Sequence, residues 1–571
     1  MALDAGSYPS VAALVDARAA SRVHAKDATL YDFSPEAQAC AENFMGWADL
    51  ACNPPYPPQA VQELADSIVE QGIRTAVLIG QGGSTQAPMT ITKFNKVNGP
   101  RVDFLVIDSD SPVRLRKTLG KLDPATTVFI VASKSGGTLE PRMMLAAVRK
   151  AVVESGALTE AEMPRHLVAV TDPGSNLEKQ AVEEGWLAIL PGEPTVGGRF
   201  SALSVFGLLP AALVGIDLAS LMQRAKQAEL LCASDSPDNP AIQLAAFMYD
   251  NYRRGRDKFS FLTPRRSRVL ALWIEQLVAE SLGKEGKGIL PNFEVDPRLL
   301  AADPGDRTVI TCGVANDPTG SGAEFDEALG CICPDIPRMD FSIETTEDLV
   351  AHLVMWEYAT ALAGYLMQVC PFDQPDVAVA KAKVLDILRD GQPAPSFVQP
   401  AAEGDPLAGT EVHVAPVFAG GGAGVHDVRG ALGALLRSIG PGDYFAIDAF
   451  LPFTGEGRRE ALEAMRRDVA AARGVAACLE IGPRYLHSVG QLQKGGPNNG
   501  VVLLLSGEEA EDFYLGLTAE SLGTLAQSQA VGDWSVLAER NRRAVHLHLP
   551  ANDGETLGAL AALVREVLAE L

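Results

Sequence analysis

Residues 75–85 read TAVLIGQGGST, and the order of those residues decides the fold. A short apolar run without polar alternation is a strand covered on both faces, and the glycines after it open a tight turn. The pattern recurs at 126–138 (TTVFIVASKSGGT), and its apolar half recurs at 102–108 (VDFLVID) and 166–172 (HLVAVTD). Between these runs lie segments of helical periodicity, such as 57–72 (PPQAVQELADSIVEQG) and 140–156 (EPRMMLAAVRKAVVESG). Strand–helix alternation implies right-handed crossovers, and hence a parallel sheet with helices on both faces. A second set of strand-like runs follows at 259–264, 307–314, 411–419, 443–452, 500–507 and 542–550.

These patterns predict an α/β protein with two doubly wound domains of mainly parallel sheets covered by helices. An N-terminal helical arm spans 1–60 and ends around the breaker run NPPYPP at 53–58. The first α/β domain then covers 61–230 and the second 231–390, with the boundary near LLCASDSPDNP at 230–240. Residues 391–571 continue the second domain after a Pro/Gly-rich stretch at 391–409 that reads as a surface linker.

Composition narrows the function. A net charge of −24 argues against a nucleic-acid partner, which needs a basic surface, but leaves a small phosphate ester open. No run of eighteen apolar residues suggests a membrane span, and MALDAGSYPS lacks the basic-then-apolar order of a secretion signal, so a cytoplasmic protein is expected. The eight cysteines are scattered apart from Cys331 and Cys333, which reads as reduced thiols rather than a zinc site. His546 and His548 alternate on one strand and are expected at the surface.

Four segments carry candidate chemistry. GQGGST (80–85) and SKSGGT (133–138) each follow a strand, where backbone N–H groups, hydroxyls and a helix N-terminus can hold a phosphate; tight turns would use the same residues. In VGGRFS (196–201), Arg199 opens an apolar helix and needs an anionic partner, a substrate or a distant carboxylate. In LWIEQLVAESLGKEGKG (272–288), Gln276 and Glu280 share a helical face, although Glu280 and Lys284 could also form a plain surface ion pair.

Together with FDQPDVAVAK (372–381), the motifs GQGGS, SKSGGT, VGGRFS and AESLGK resemble, in order, those of the glucose-6-phosphate isomerase family. The resemblance is nearest to the isomerase half of bacterial transaldolase/phosphoglucose isomerase fusions, and continues through GPRYLHSVGQL (482–492), KGGPN (494–498) and SLGTLAQSQAVGD (521–533). It implies sugar-isomerase (SIS-type) domains, a phosphosugar substrate, no cofactor and no metal. By position it implies Glu280 as catalytic base with Gln276 beside it, and Arg199 as the group that stabilises an enediolate. It implies Lys381 and His487 as proton movers for ring opening. Ser133, Lys134, Ser135 and Thr138 become the phosphate loop, with Gly83 and Ser84 beside the sugar. It further implies a homodimer in which His487 crosses to the neighbour's Glu280. A sensor that has lost catalysis, or an isomerase that also takes mannose 6-phosphate, are the competing readings. The chain departs from the family at Gly137, where relatives have threonine, and at Gln493, where the fusions have histidine. His487 also follows Lys381, whereas ordinary isomerases place the histidine first.

Overall fold

The computed structural model describes residues 6–571 apart from 294, 295, 316, 318, 419–424, 454, 456 and 510. Its first sheet contains β1 (Thr75–Gly80), β2 (Asp103–Ile107), β3 (Thr127–Ala132), β4 (Leu167–Thr171) and β5 (Ala188–Pro191), all parallel, in the order β2-β1-β3-β4-β5. β3 is buried along its whole length, as its unbroken apolar run requires. The chain leaves β1 for β2 on one side and returns to β3 on the other. The crevice between the carboxyl ends of β1 and β3 is therefore the switch point at which open α/β sheets hold ligands. Gly80 pairs with Ala132 there, so the two glycine-rich loops emerge side by side.

The second sheet contains β6 (Lys258–Leu262), β7 (Leu290–Asn292), β8 (Arg307–Val314) and β9 (Arg338–Ile343), again parallel, in the order β7-β6-β8-β9. The third contains β10 (Phe397–Val398), β11 (Glu411–Val414), β12 (Tyr444–Phe450), β13 (Ala476–Ile481), β14 (Gly500–Gly507) and β15 (Arg543–Leu549) in the order β10-β11-β15-β14-β12-β13. Strands β12 to β15 are parallel, while β10 and β11 form an antiparallel edge. The expected architecture of parallel sheets covered by helices is present. The number of sheets differs, because residues 397–549 pair only among themselves and enclose their own core around Val412, Ile447, Leu503 and Leu547. A parallel sheet grows only through crossovers long enough to hold a helix, and the two-stranded antiparallel edge closes this one off from the rest. The stretch expected as a linker contributes β10 to that edge.

The surface role expected for His546 and His548 is corrected. They are 0% and 7% exposed, because β15 lies inside its sheet and the helix Leu522–Glu539 packs over it. Residue 419, at the end of the expected 411–419 strand, lies outside the described residues.

The helix Arg268–Leu282 joins the three sheets. Leu270, Trp273, Ile274, Leu277 and Val278 sit in the core shared by the first two sheets, and Ala279 packs with the inner face of the third. Almost every side chain of this helix after its first turn is buried, so its polar residues point at protein rather than at solvent.

Candidate active site

The first loop is shaped by close approach. Gly82 has φ +55°, and a Cβ there would lie 2.9 Å from the Cβ of His487 and 3.1 Å from Nε2 of Gln276. At Gly83 a Cβ would meet the Gly198 carbonyl at 2.2 Å. Only glycine lets β1 deliver its helix this close to both VGGR and the Glu280 helix. Ser84 follows and lines a small pocket with Lys134, Gly198, Ser201 and Ser204.

Arg199 and Glu280 form a buried ion pair, 5% exposed each, with Nη1 of Arg199 3.1 Å from Oε1 of Glu280. The guanidinium also donates to Oγ of Ser281 at 3.0 Å, to Oε1 of Gln374 at 3.0 Å, and to the carbonyls of Pro371 and Asp373 at 2.9 and 3.0 Å. Such saturation makes a buried charge tolerable and fixes the plane of the guanidinium. The other Glu280 oxygen accepts from Nε2 of Gln276 at 3.2 Å, and the same amide donates to the His487 carbonyl at 2.8 Å. The plain surface pair of Glu280 with Lys284 does not form. Lys284 is itself buried and donates instead to Oδ1 of Asp373 at 2.5 Å and to the Cys370 and Asp373 carbonyls.

His487 lies at its own chain's site. Besides the Gln276 contact, its Nε2 is 3.1 Å from Oε1 of Glu140. Within the one chain described, His487 therefore stands beside the Glu280 helix without crossing to a neighbour. Its segment is carried by the third sheet, which packs against the same chain's Glu280 helix through Ala279. Gln491 secures the arrangement by donating to the Gly283 carbonyl and accepting from the Asp376 backbone, both at 3.0 Å. Gln493, the departure from histidine, turns away from the site and donates to buried Asp448 at 3.1 Å.

Glu140 carries no role in the sequence reading. Burial drives its carboxyl upward, but the hydrogen bond from His487, the charges of His487 and Lys381, and a backbone N–H outweigh that and hold it down at about 2. Gln529 donates to the same oxygen at 3.0 Å. Lys381 is exposed and reaches the site through this charge interaction.

The second loop is ordered but only partly free. Gly136, at φ +63°, has the Leu177 backbone 2.8 Å from where a Cβ would stand. The Lys134 ammonium is taken by Asp172 and the Pro194 carbonyl. Among the described residues Ser133 has a buried hydroxyl with no partner, Ser135 is exposed and accepts from the Gly137 N–H, and Thr138 caps the helix Leu139–Glu154 without a side-chain bond. These are available donors at the start of a sixteen-residue helix. At Gly137 a Cβ would have nothing nearer than Ser135 Oγ at 3.7 Å, so a side chain fits there.

The small pocket lined by Lys134, Ser84 and Gly198 thus adjoins Arg199 and its partner Glu280, and hydrogen bonds run on through Gln276 and His487 to Glu140, just after the second loop. Among the described residues, two trios have spacing suited to a metal, His24–Cys52–Glu229 and Cys40–Cys370–Asp373. Neither was visible in sequence spacing, and the Lys284 ammonium already sits against Asp373 in the second. No described helix is long and apolar enough to cross a membrane.

Residues 66–289 match the family model described as phosphoglucose isomerase. The glucose-6-phosphate isomerase of Desulfitobacterium hafniense (strain Y51) is 37% identical over 218 residues, 37% of this chain and 40% of that protein. That of Nostoc punctiforme is 29% identical over 354 residues, 55% of this chain and 65% of that protein. The match thus spans less than half the length of the first relative and just under two thirds of the second. A solved glucose-6-phosphate isomerase from Chlamydia trachomatis shares the fold, with TM-score 0.51 and 20% identity over 58% of this chain and 73% of that one.

Proposed function

We propose that this protein interconverts glucose 6-phosphate and fructose 6-phosphate by ring opening and proton transfer through a cis-enediolate. The observation that carries the reading is the Glu280 carboxylate held between Arg199 and Gln276. A base beside a fixed guanidinium is what an enediolate needs, since charge develops on oxygen while a proton leaves the neighbouring carbon. The match of residues 66–289 to the phosphoglucose isomerase family supports the same chemistry.

In this reading the phosphate docks at the paired helix N-termini, using Ser84 and the hydroxyls of Ser133, Ser135 and Thr138, with Lys134 turning from Asp172 toward it. His487, oriented by Glu140, moves a proton between the ring oxygen and the anomeric hydroxyl, and Lys381 assists from the rim. Glu280 then takes the proton from C2 and returns it to C1. A positioned general base contributes about 10²- to 10⁴-fold. As Glu280 takes the proton its pair with Arg199 weakens, and the Nη1–H of Arg199 now on Glu280 turns to the enediolate oxygen, a charge-assisted hydrogen bond worth about 1.5–3 kcal/mol. The test is a coupled assay for glucose 6-phosphate formed from fructose 6-phosphate, with solvent-proton exchange at C2 followed in parallel. Absence of both turnover and exchange in the wild-type chain would overturn the reading.

A further inference from the structure

A second cleft lies apart from the site described above. It has a volume of about 480 Å³ and opens on the other side of the helix Arg268–Leu282, between the second and third sheets. Its position follows from topology. The chain leaves β6 for β7 on one side and returns to β8 on the other, so the second sheet has its own switch point. The residues at the carboxyl end of β6, Phe261 to Arg265, form one wall, and Ser321 and Phe325 from the connection after β8 form another. The Arg265 backbone N–H donates to Oγ of Ser321 at 3.1 Å and ties the walls together. The helix Arg268–Leu282 starts at this crevice, which is where a doubly wound sheet presents a ligand with oriented N–H groups.

The chemistry of the lining is unlike that of the rest of the chain. The protein has 72 acidic against 48 basic residues, yet this one cleft gathers six arginines against five carboxyl side chains, Asp108, Glu275, Glu324, Glu463 and Glu480. Arg114 pairs with Asp108 at 3.2 Å and Arg466 with Glu463 at 3.0 Å. Among the described residues, the guanidiniums of Arg265, Arg268, Arg459 and Arg484 make no hydrogen bond or ion pair; Arg459 only lies over the Phe453 ring, at 5.2 Å. Arg265, Arg268 and Arg459 are exposed at the mouth and Arg484 is half-buried; partial desolvation, then the like charge of Arg459, depress Arg268, with Glu463 opposing and Arg265 and Arg466 adding to the effect. Cations gathered against their mutual repulsion are stabilised by a multivalent anion. Two further carboxyls, Glu275 and Glu480, lie at the floor; burial and, for Glu275, the charge of Glu480 push them upward, while the charge of Arg484 opposes the shift at both. Phe293, Phe325 and Phe453 are also among the lining residues and supply aromatic surface beside the arginines.

We propose that this cleft is a second binding site, separate from the Glu280 site, for a nucleoside polyphosphate whose phosphates meet the arginines and whose planar base meets the phenylalanines. The volume lies within the range of small-molecule sites. The inference stands on the cleft alone and does not depend on the isomerase reading.

The experiment is calorimetric titration of the full chain with ATP, tripolyphosphate and adenosine, each with and without saturating fructose 6-phosphate. One ATP per chain is expected, undisplaced by fructose 6-phosphate, binding more tightly than tripolyphosphate, with adenosine weakest. Arg268→Ala with Arg459→Ala should weaken ATP at least about tenfold, since each removes charge-assisted hydrogen bonds. Turnover of fructose 6-phosphate without ATP, and the melting temperature, should stay near wild type and show that the variant folds. Arg459→Ala alone, at an exposed position, should give a smaller loss in the same direction. No ATP binding, displacement by fructose 6-phosphate, or full affinity in the double variant overturns the site. Equal affinity for tripolyphosphate and ATP overturns the nucleoside assignment.

Discussion

Mixing Glu280→Gln chains with His487→Ala chains should restore no activity, because each site takes both residues from one polypeptide. His487 is held by the Gln276 amide on its carbonyl at 2.8 Å and by Glu140 on its ring at 3.1 Å. These two bonds, one ordinary and one charge-assisted, are worth about 2–4 kcal/mol together; a crossed histidine would remake them in the neighbour, but the third sheet that carries its segment and packs on the Glu280 helix through Ala279 would have to cross with it. If the histidine did cross in a two-fold dimer, random pairing would make half the dimers mixed with one intact site each, returning about a quarter of native activity. With the intrachain geometry, recovery stays below about one per cent of native, at the level of the single variants. The assay is glucose 6-phosphate formation after the two purified variants are unfolded together, refolded in equal amounts and compared with refolded wild type. Recovery approaching a quarter refutes the intrachain site.

Glu280→Gln should lower kcat by at least about a hundredfold with little change in KM, because the amide keeps the shape and loses the base; more than about a tenth of wild-type kcat would place the base elsewhere. Gly137→Thr should lower KM for the phosphosugar about two- to tenfold by adding one hydroxyl donor where a side chain fits, and an unchanged or raised KM would show that the loop does not face the phosphate. Gly83→Ala should destabilise the fold by about 1–3 kcal/mol or more, since its Cβ would overlap the Gly198 carbonyl, and an unchanged melting temperature contradicts the described approach of the loops. Glu140 is held down at about 2 from an ordinary 4.5, so its contribution to stability is present above about pH 4.5 and is lost as the pH falls through that interval toward 2. The melting-temperature difference between wild type and Glu140→Gln should therefore be largest near neutral pH and close at low pH; a gap independent of pH shows that the loss is one of packing.

Sequence by itself determined the elements and the local chemistry. Runs such as TVFIVA and GVVLLLSG are strands because their apolar residues leave no face for water, and the structure places them at Thr127–Ala132 and at Gly500–Gly507. The two glycine loops could be located because switch-point chemistry is local, following a strand end by one or two residues. Glu280 and Gln276 could be placed on one face from their spacing alone. What spacing cannot contain is the partner across the fold. The plain reading of Glu280 with Lys284 was a reasonable local inference, and it fails because residues 371–374, about ninety positions away, claim both Lys284 and Arg199. Glu140 was invisible because nothing in EPRMM marks an acid whose meaning is a histidine 347 residues later. The surface reading of His546 and His548 failed for the same reason, since alternation reports two faces but not what covers them. Only the tertiary structure decided that the last third of the chain forms a sheet of its own, and that this sheet brings His487 to the same chain's Glu280 helix. Pairing between distant strands and ionisable groups is set by packing of whole sheets, a long-range property on which nearest-neighbour patterns carry almost no information.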